Sequence, residues 1–275
     1  MNKARCMRAD GGFTLVELLV AMTLVATLTA GGLAAYARAN ATWHSQAADQ
    51  RRHERAQYVF GTLEPDLQMA GYFGPARPAA PLPAAALPAA VRACGIDAIA
   101  PLHRAVERFA APPPACVSPA SVLAGSDALL IRRASAQVAA PHAGRAQWLT
   151  AGETPPAGAL LWDGQIPPAA PGAELRDLVV RIYYVARSAD GDSGSPALRV
   201  KTLSEVAGAP AFIDTEVMPG VESLQVELLP PTAPRSVRVS LRVRADAADT
   251  AAQDARRTLS LTRHFTLRNA LPDAP

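Results

Sequence analysis

Between Phe13 and Tyr36 the chain reads FTLVELLVAMTLVATLTAGGLAAY, an apolar run whose single charged side chain is Glu17. About 20 consecutive apolar residues cross a bilayer as a helix, so the run is long enough to span one. Within hydrocarbon every backbone polar group must be satisfied inside the segment, which makes a lone span helical. A carboxylate at the centre of such a helix costs about 2.5–3.5 kcal/mol on insertion scales. Glu17 lies near the start of the run, and any reading of the chain has to account for it.

Lys3, Arg5, Arg8 and Asp10 precede the run, and this basic leader predicts a cytoplasmic N-terminus. Three of the 27 Lys and Arg residues and one of the 24 Asp and Glu residues fall there. The formal net charge of +3 is therefore concentrated in the leader, and the rest of the chain is close to neutral. Net charge gives no reason to infer nucleic-acid binding. A secretory signal would share the basic leader, and Ala35-Tyr36-Ala37 offers a cleavage pattern, but the run exceeds the usual stretch of about 7–15 apolar residues. A simple signal anchor has no use for Glu17.

Gly11-Gly12 followed by Phe13-Thr14-Leu15-Val16-Glu17 and an apolar helix resembles the processing signal of type IV pilins and pseudopilins. The resemblance implies that a prepilin peptidase cuts between Gly12 and Phe13 on the cytoplasmic side and N-methylates Phe13. It also gives Glu17 a role. Cleavage creates an ammonium at Phe13, and in a filament of stacked helices Glu17 can meet that group on a neighbouring subunit. A buried charge is tolerable when paired and costly when alone, which makes the register selective. On this reading residues 1–12 are a cleaved leader, 13–36 a transmembrane and filament-core helix, 37–70 its periplasmic continuation, and 71–275 a head.

Residues 37–63 contain no proline, so a helix from Phe13 to about Leu63 is predicted, roughly 75 Å long. Its second half is stable only if one face packs on the head. Gly31 and Gly32 form a candidate soft point, because paired glycines raise the cost of staying helical. Pro65 is expected to break or kink the helix. Residues 75–90 and 110–120 are rich in Pro and Ala and read as extended surface loops.

Strands dominate the remainder. DALLIRR (127–133), LVVRIYYVAR (178–187) and ALRVKTL (197–203) are β-rich runs, the last two forming a hairpin around DGDSGSP. SLQVELL (223–229) and VRVSLRVRA (237–245) alternate apolar with polar residues, which predicts one buried and one wet face. The arginines of the latter fit a solvated sheet face or an acidic-partner surface. TLSLTRHFTLRN (258–269) makes a final strand, with Arg263 on the parity of Leu261 and Phe265. The fold class predicted is α+β, a long N-terminal helix packed on antiparallel sheet.

DLQMAGYFG, GSDALLIRRA, YYVAR, GVESLQVELL and FTLRN resemble segments of PilW-type minor pilins. Pro75 stands where a cysteine follows AGYFG in that branch, so the disulfide pattern departs from it. The resemblance implies a structural protein of the inner membrane and then of the pilus, in the complex that starts the filament at or near its tip. Its partners would be other minor pilins, the major pilin and a tip adhesin. Adhesion, twitching motility or DNA uptake would follow from the pilus. A J-type pseudopilin of a type II secretion system shares the same leader and head. A membrane-anchored periplasmic enzyme or binding module is a further alternative.

Cys6 would leave with the leader, and Cys94 and Cys116 remain, an even count in an oxidising periplasm that makes a bridge the expected state. GDSG within DGDSGS occurs in the nucleophile loop of chymotrypsin-like proteases, but no histidine sits in a base motif and no calcium loop is complete. A turn rich in Asp and Gly accounts for it. His44, His53, His103, His142 and His264 show no zinc spacing, and neither a cofactor nor a catalytic residue is predicted.

Overall fold

The computed structural model describes residues 12, 14–83, 87–110, 114–117, 122–151, 158–167, 172–188, 195–244 and 258–270. Two compact units are present, Met1–Ala48 and Asp49–Pro275. Helix α1 runs from Leu15 to Met69. In the second unit it buries Ala56, Val59, Phe60, Leu63 and Leu67. These positions recur every three or four residues and make one apolar stripe. Burying each Val, Leu or Phe contributes about 1.5–3 kcal/mol, which is what holds this half of the helix in register.

The helix does not break at Pro65. It passes through that residue to Met69. Proline inside a helix costs about 3 kcal/mol, and burial of Leu63 and Leu67 on either side offsets it. The stop comes at Gly71, in the left-handed region at φ 75°. Its amide donates to the Arg132 carbonyl at 2.9 Å, and a Cβ there would lie 3.0 Å from that of Ala105. Glycine alone suits both demands.

Two short helices follow, α2 (Ala89–Arg92) and α3 (Ile96–Ile99), then strands β1 (Val106–Phe109), β2 (Ala128–Ala134), β3 (Gln147–Thr150) and β4 (Gly158–Leu161). After them come β5 (Glu174–Arg187), β6 (Pro196–Val206), β7 (Ala209–Pro219), β8 (Val221–Leu229), β9 (Ser236–Arg244) and β10 (Thr258–Thr266). One sheet has the order β1-β2-β5-β3-β4, with β6 also pairing β5 and β7 pairing β6; the other has the order β10-β9-β8. Every pairing between these strands is antiparallel. The architecture is α+β and consistent with a pilin-like head.

The predicted alternation holds in β9, where Val237, Val239, Leu241 and Val243 are buried and the residues between them are not. These side chains meet the α1 stripe, Leu224 and Val226 of β8, and Leu129, Ile131, Tyr183 and Val185 of the larger sheet in one core. A second core lies on the opposite face of β2 and β5, built on Leu130, Val180, Ile182 and Tyr184. Both faces of these two strands are covered, which explains their near-continuous apolar runs.

The Pro/Ala-rich stretches supply part of that second cover. Residues 75–83 are mostly exposed, as an extended surface loop would be, yet Ala76 and Pro78 are buried. Leu87, Val91, Cys94, Ile99 and Leu102 then pack in the second core. The surface-loop reading is therefore corrected for the end of the first stretch, whose apolar residues seal a sheet face. In the second stretch, Pro114 and Val117 are buried, while 111–113 and 118–120 lie outside the described residues.

Candidate functional site

Thr14 and Glu17 close the start of α1. The Glu17 amide donates to Thr14 Oγ1 at 3.3 Å, while Glu17 Oε2 accepts from the Thr14 amide at 3.0 Å and from its hydroxyl at 3.1 Å. This reciprocal arrangement satisfies donors that a helix start leaves without partners. The carboxylate also sits at the positive end of the helix dipole. Both bonds go to Oε2, and Oε1 meets no partner among the described residues. The Thr-x-x-Glu spacing was legible in the sequence, but the reading assigned Glu17 to assembly alone.

Gly12 is exposed, with nothing within 4 Å of where a Cβ would stand. Phe13, the proposed methylated terminus, lies outside the described residues, as do residues 1–11, including Cys6. Along the start of α1, Leu15, Val16, Leu18, Leu19, Val20 and Met22 each expose more than half of their surface. Exposed apolar area is unfavourable in water by about 25 cal/mol per Å². Thr23, Thr27 and Thr29 turn their hydroxyls back onto the carbonyls of Val20, Leu24 and Val25 at 2.9, 2.9 and 2.6 Å. Those hydroxyls need no water, so the segment suits hydrocarbon or the apolar flanks of other helices. By length and composition α1 can cross a membrane. Gly31 and Gly32 are helical and exposed.

In the head, Asp66 is 1% exposed. Its Oδ1 accepts from Arg133 at 3.0 Å, and its Oδ2 accepts from Arg181 and from the Tyr183 hydroxyl, each at 2.7 Å. This carboxylate on α1 therefore grips β2 and β5 at once. Burial, and then the adjacent Asp66 carboxylate, push the Tyr183 phenol above its ordinary range. Sequence reading missed Asp66, although an acid beside the apolar stripe in EPDLQ was the signal. Arg132 is fully buried and donates to the carbonyls of Ala98 and Arg104 at 2.8 and 2.9 Å, pinning the loop before β1.

Cys94 and Cys116 are joined in a disulfide that ties both ends of the segment carrying α3 and β1. The β9 arginines have partners on β8 and on the loop before β6. Arg238 pairs with Glu227 at 2.6 Å and Arg242 with Glu222 at 3.3 Å, while Arg244 donates to Ser195 at 2.6 Å. Such pairs on a wet face contribute about 0.2–1 kcal/mol each. Arg263, the odd residue of β10, pairs with Glu64 at 3.0 Å and lies over the Phe265 ring. Residues 190–194 of DGDSGS lie outside the described residues. Among the described residues no three His, Cys, Asp or Glu side chains gather as metal ligands would.

The prokaryotic N-terminal methylation motif matches residues 7–33, a range that takes in Gly12, Phe13, Glu17, Gly31 and Gly32. No curated protein and no solved structure matches the chain. The motif supports a type IV pilin-like protein processed as a prepilin, and with the apolar helix it supports membrane anchoring.

Proposed function

We propose that this chain is a minor pilin of a type IV pilus. It enters the bacterial inner membrane once, with its head in the periplasm, and prepilin peptidase cuts it between Gly12 and Phe13 and methylates Phe13. It then joins other minor pilins, the major pilin and a tip adhesin in the complex that starts the filament. Its role is structural rather than enzymatic. The observation that carries this reading is the helix start inside the matched motif, where one Glu17 oxygen caps its own helix and the other is left over.

Cleavage removes only residues ahead of Phe13, so the Thr14–Glu17 cap survives it. The new ammonium at Phe13 seeks an anion in a medium where unpaired charge is costly. Oε1 of a neighbouring subunit's Glu17 supplies one through a charge-assisted hydrogen bond. Side-by-side helices then bury the bare flanks from Leu15 to Met22, which favours lateral stacking. Segments similar to PilW-type minor pilins, running from DLQMAGYFG to FTLRN, support the place in the initiating complex.

Intact-mass measurement of the mature chain tests the processing step. The expected species begins at methylated Phe13; a chain beginning near Asn40, or an uncut one, would overturn it. Deleting the gene tests the filament. Loss of surface pili with protein export intact is expected, whereas loss of export with pili intact would assign the chain to a type II secretion pseudopilus.

A further inference from the structure

β1 is an edge strand that pairs with β2 alone. The Arg132 amide donates to the Ala105 carbonyl at 2.8 Å, and Val106 stands opposite Ile131. In an antiparallel ladder, hydrogen-bonded and non-hydrogen-bonded pairs alternate, so Val106 and Arg108 turn their amides and carbonyls away from β2. Among the described residues those groups meet no partner. The facing edge of β8 is treated differently along its length. Leu224 accepts from the Asp127 amide at 2.8 Å, and the Val226 amide donates to Asp127 Oδ2 at 2.8 Å. Leu228, the next residue of that parity, lies beyond these caps.

A cleft of about 780 Å³ opens here, walled by β1, Leu228 and the turn 231–234. Its charge is one-sided. Arg77, Arg104 and Arg108 line it with one carboxylate, Glu107. Arg108 is held by Asp127 just outside the lining, at 2.9 and 3.1 Å, so the charge offered to a ligand rests on Arg77 and Arg104. Glu107 is already shared between Arg104 at 3.0 Å and the buried Arg132 at 2.5 Å. Arg77 gives one bond to the Asn269 carbonyl at 3.1 Å. His103 also lines the cleft, and its buried Nδ1 has no hydrogen-bond partner among the described residues.

A free strand edge is a template for another extended backbone, and adding a strand to a sheet edge is a general mode of peptide capture. Only a peptide offers donors and acceptors alternating at the two-residue repeat of about 6.6–6.8 Å that the edge presents. A polyanion without such a backbone would satisfy the guanidinium groups and leave the Val106 and Arg108 carbonyls unpaired. We propose that this cleft seats an extended acidic segment of a partner protein, added as a strand to β1. Its carboxylates meet Arg77 and Arg104, while its backbone pairs with Val106 and Arg108. This site does not depend on the filament reading, and each can fail without the other.

The test uses the full chain in detergent micelles and a displayed library of random octapeptides, with the Arg77→Glu/Arg104→Glu variant as counter-selection. Both arginines are exposed, so the variant is expected to keep the far-UV spectrum and unfolding midpoint of the parent. Enrichment of peptides with Asp or Glu at alternate positions is the expected result. In fluorescence anisotropy these should bind at least tenfold more weakly to the variant, and a central proline in the peptide should abolish binding. No enrichment, enrichment of basic or purely apolar peptides, or indifference to the central proline would overturn the proposal. Self-association of the parent that the variant abolishes would also overturn it, by assigning the cleft to a second copy of the chain.

Discussion

The two oxygens of Glu17 can be separated by substitution. Glutamine at N3 still completes a capping box but carries no charge. Glu17→Gln and Glu17→Ala are therefore both expected to be processed normally and to enter sheared pili at less than a tenth of the parental level. Normal incorporation of the glutamine variant would reduce Glu17 to a cap. Thr14→Val, which removes the cap hydroxyl at a cost of about 1 kcal/mol, should leave incorporation intact. Asp66 makes a parallel case in the head, since two guanidinium groups and a phenol converge on it. Removing one partner of a buried charge pair costs about 3–5 kcal/mol. Arg133 and Arg181 keep some solvent, so Asp66→Asn is expected near the lower end, read as a reduced urea midpoint with an unchanged slope. Tyr183 adds a pH signature. Its phenol is pushed upward by burial and by Asp66, and burial and the hydrogen bond to Asp214 push Tyr184 the same way. Above pH about 10 an unfolded tyrosine loses its proton while the folded ones keep theirs. The native state then binds more protons than the unfolded one, so stability falls as pH rises. Tyr183→Phe should flatten part of that fall in unfolding curves taken between pH 9 and 11.

At the level of elements, α1 shows how tertiary burial overrides a local rule. Proline is the worst helix former, yet the segment around Pro65 carries the residues that fix the helix to both sheets. The pattern of Phe60, Leu63 and Leu67 was readable, whereas their outweighing Pro65 was not, because that depends on what they touch. The same holds for the stretch from Leu87 to Leu102. Short, proline-flanked and rich in alanine, it has no periodicity to announce a buried face, yet it helps seal one side of the larger sheet. Four strands went unread for related reasons. β1, β3 and β4 have four residues each, too few to display a period of two, and β7 carries Asp214 and Glu216 among its apolar residues. The Cys94–Cys116 bridge ties this sealing layer together. Cys94→Ser/Cys116→Ser is expected to lower the unfolding free energy by about 3 kcal/mol through the longer reach of the unlinked unfolded chain. Chemical denaturation of the oxidised parent against the double variant measures it.

For the whole molecule, the unit Asp49–Pro275 has its own two cores. A chain beginning at residue 49 is therefore expected to be soluble without detergent and to unfold cooperatively, checked by gel filtration and thermal circular dichroism. The full chain, with the flank from Leu15 to Met22 bare, should require detergent or lipid. The sequence by itself determined the ends of this logic. The apolar run, the leader and Glu17 pointed to a membrane-anchoring helix with a prepilin-type signal, because a long stretch with a single charge has few physical solutions. The alternation in β8 and β9 required a sheet with one wet face, because a period of two is unambiguous when one side meets water. Tertiary structure decided the rest. It placed a second core behind β2 and β5, closed Asp66 between two arginines and a tyrosine, and left β1 with an open edge beside three arginines. Those features join residues far apart in the chain. Their energies come from partners that no local pattern records.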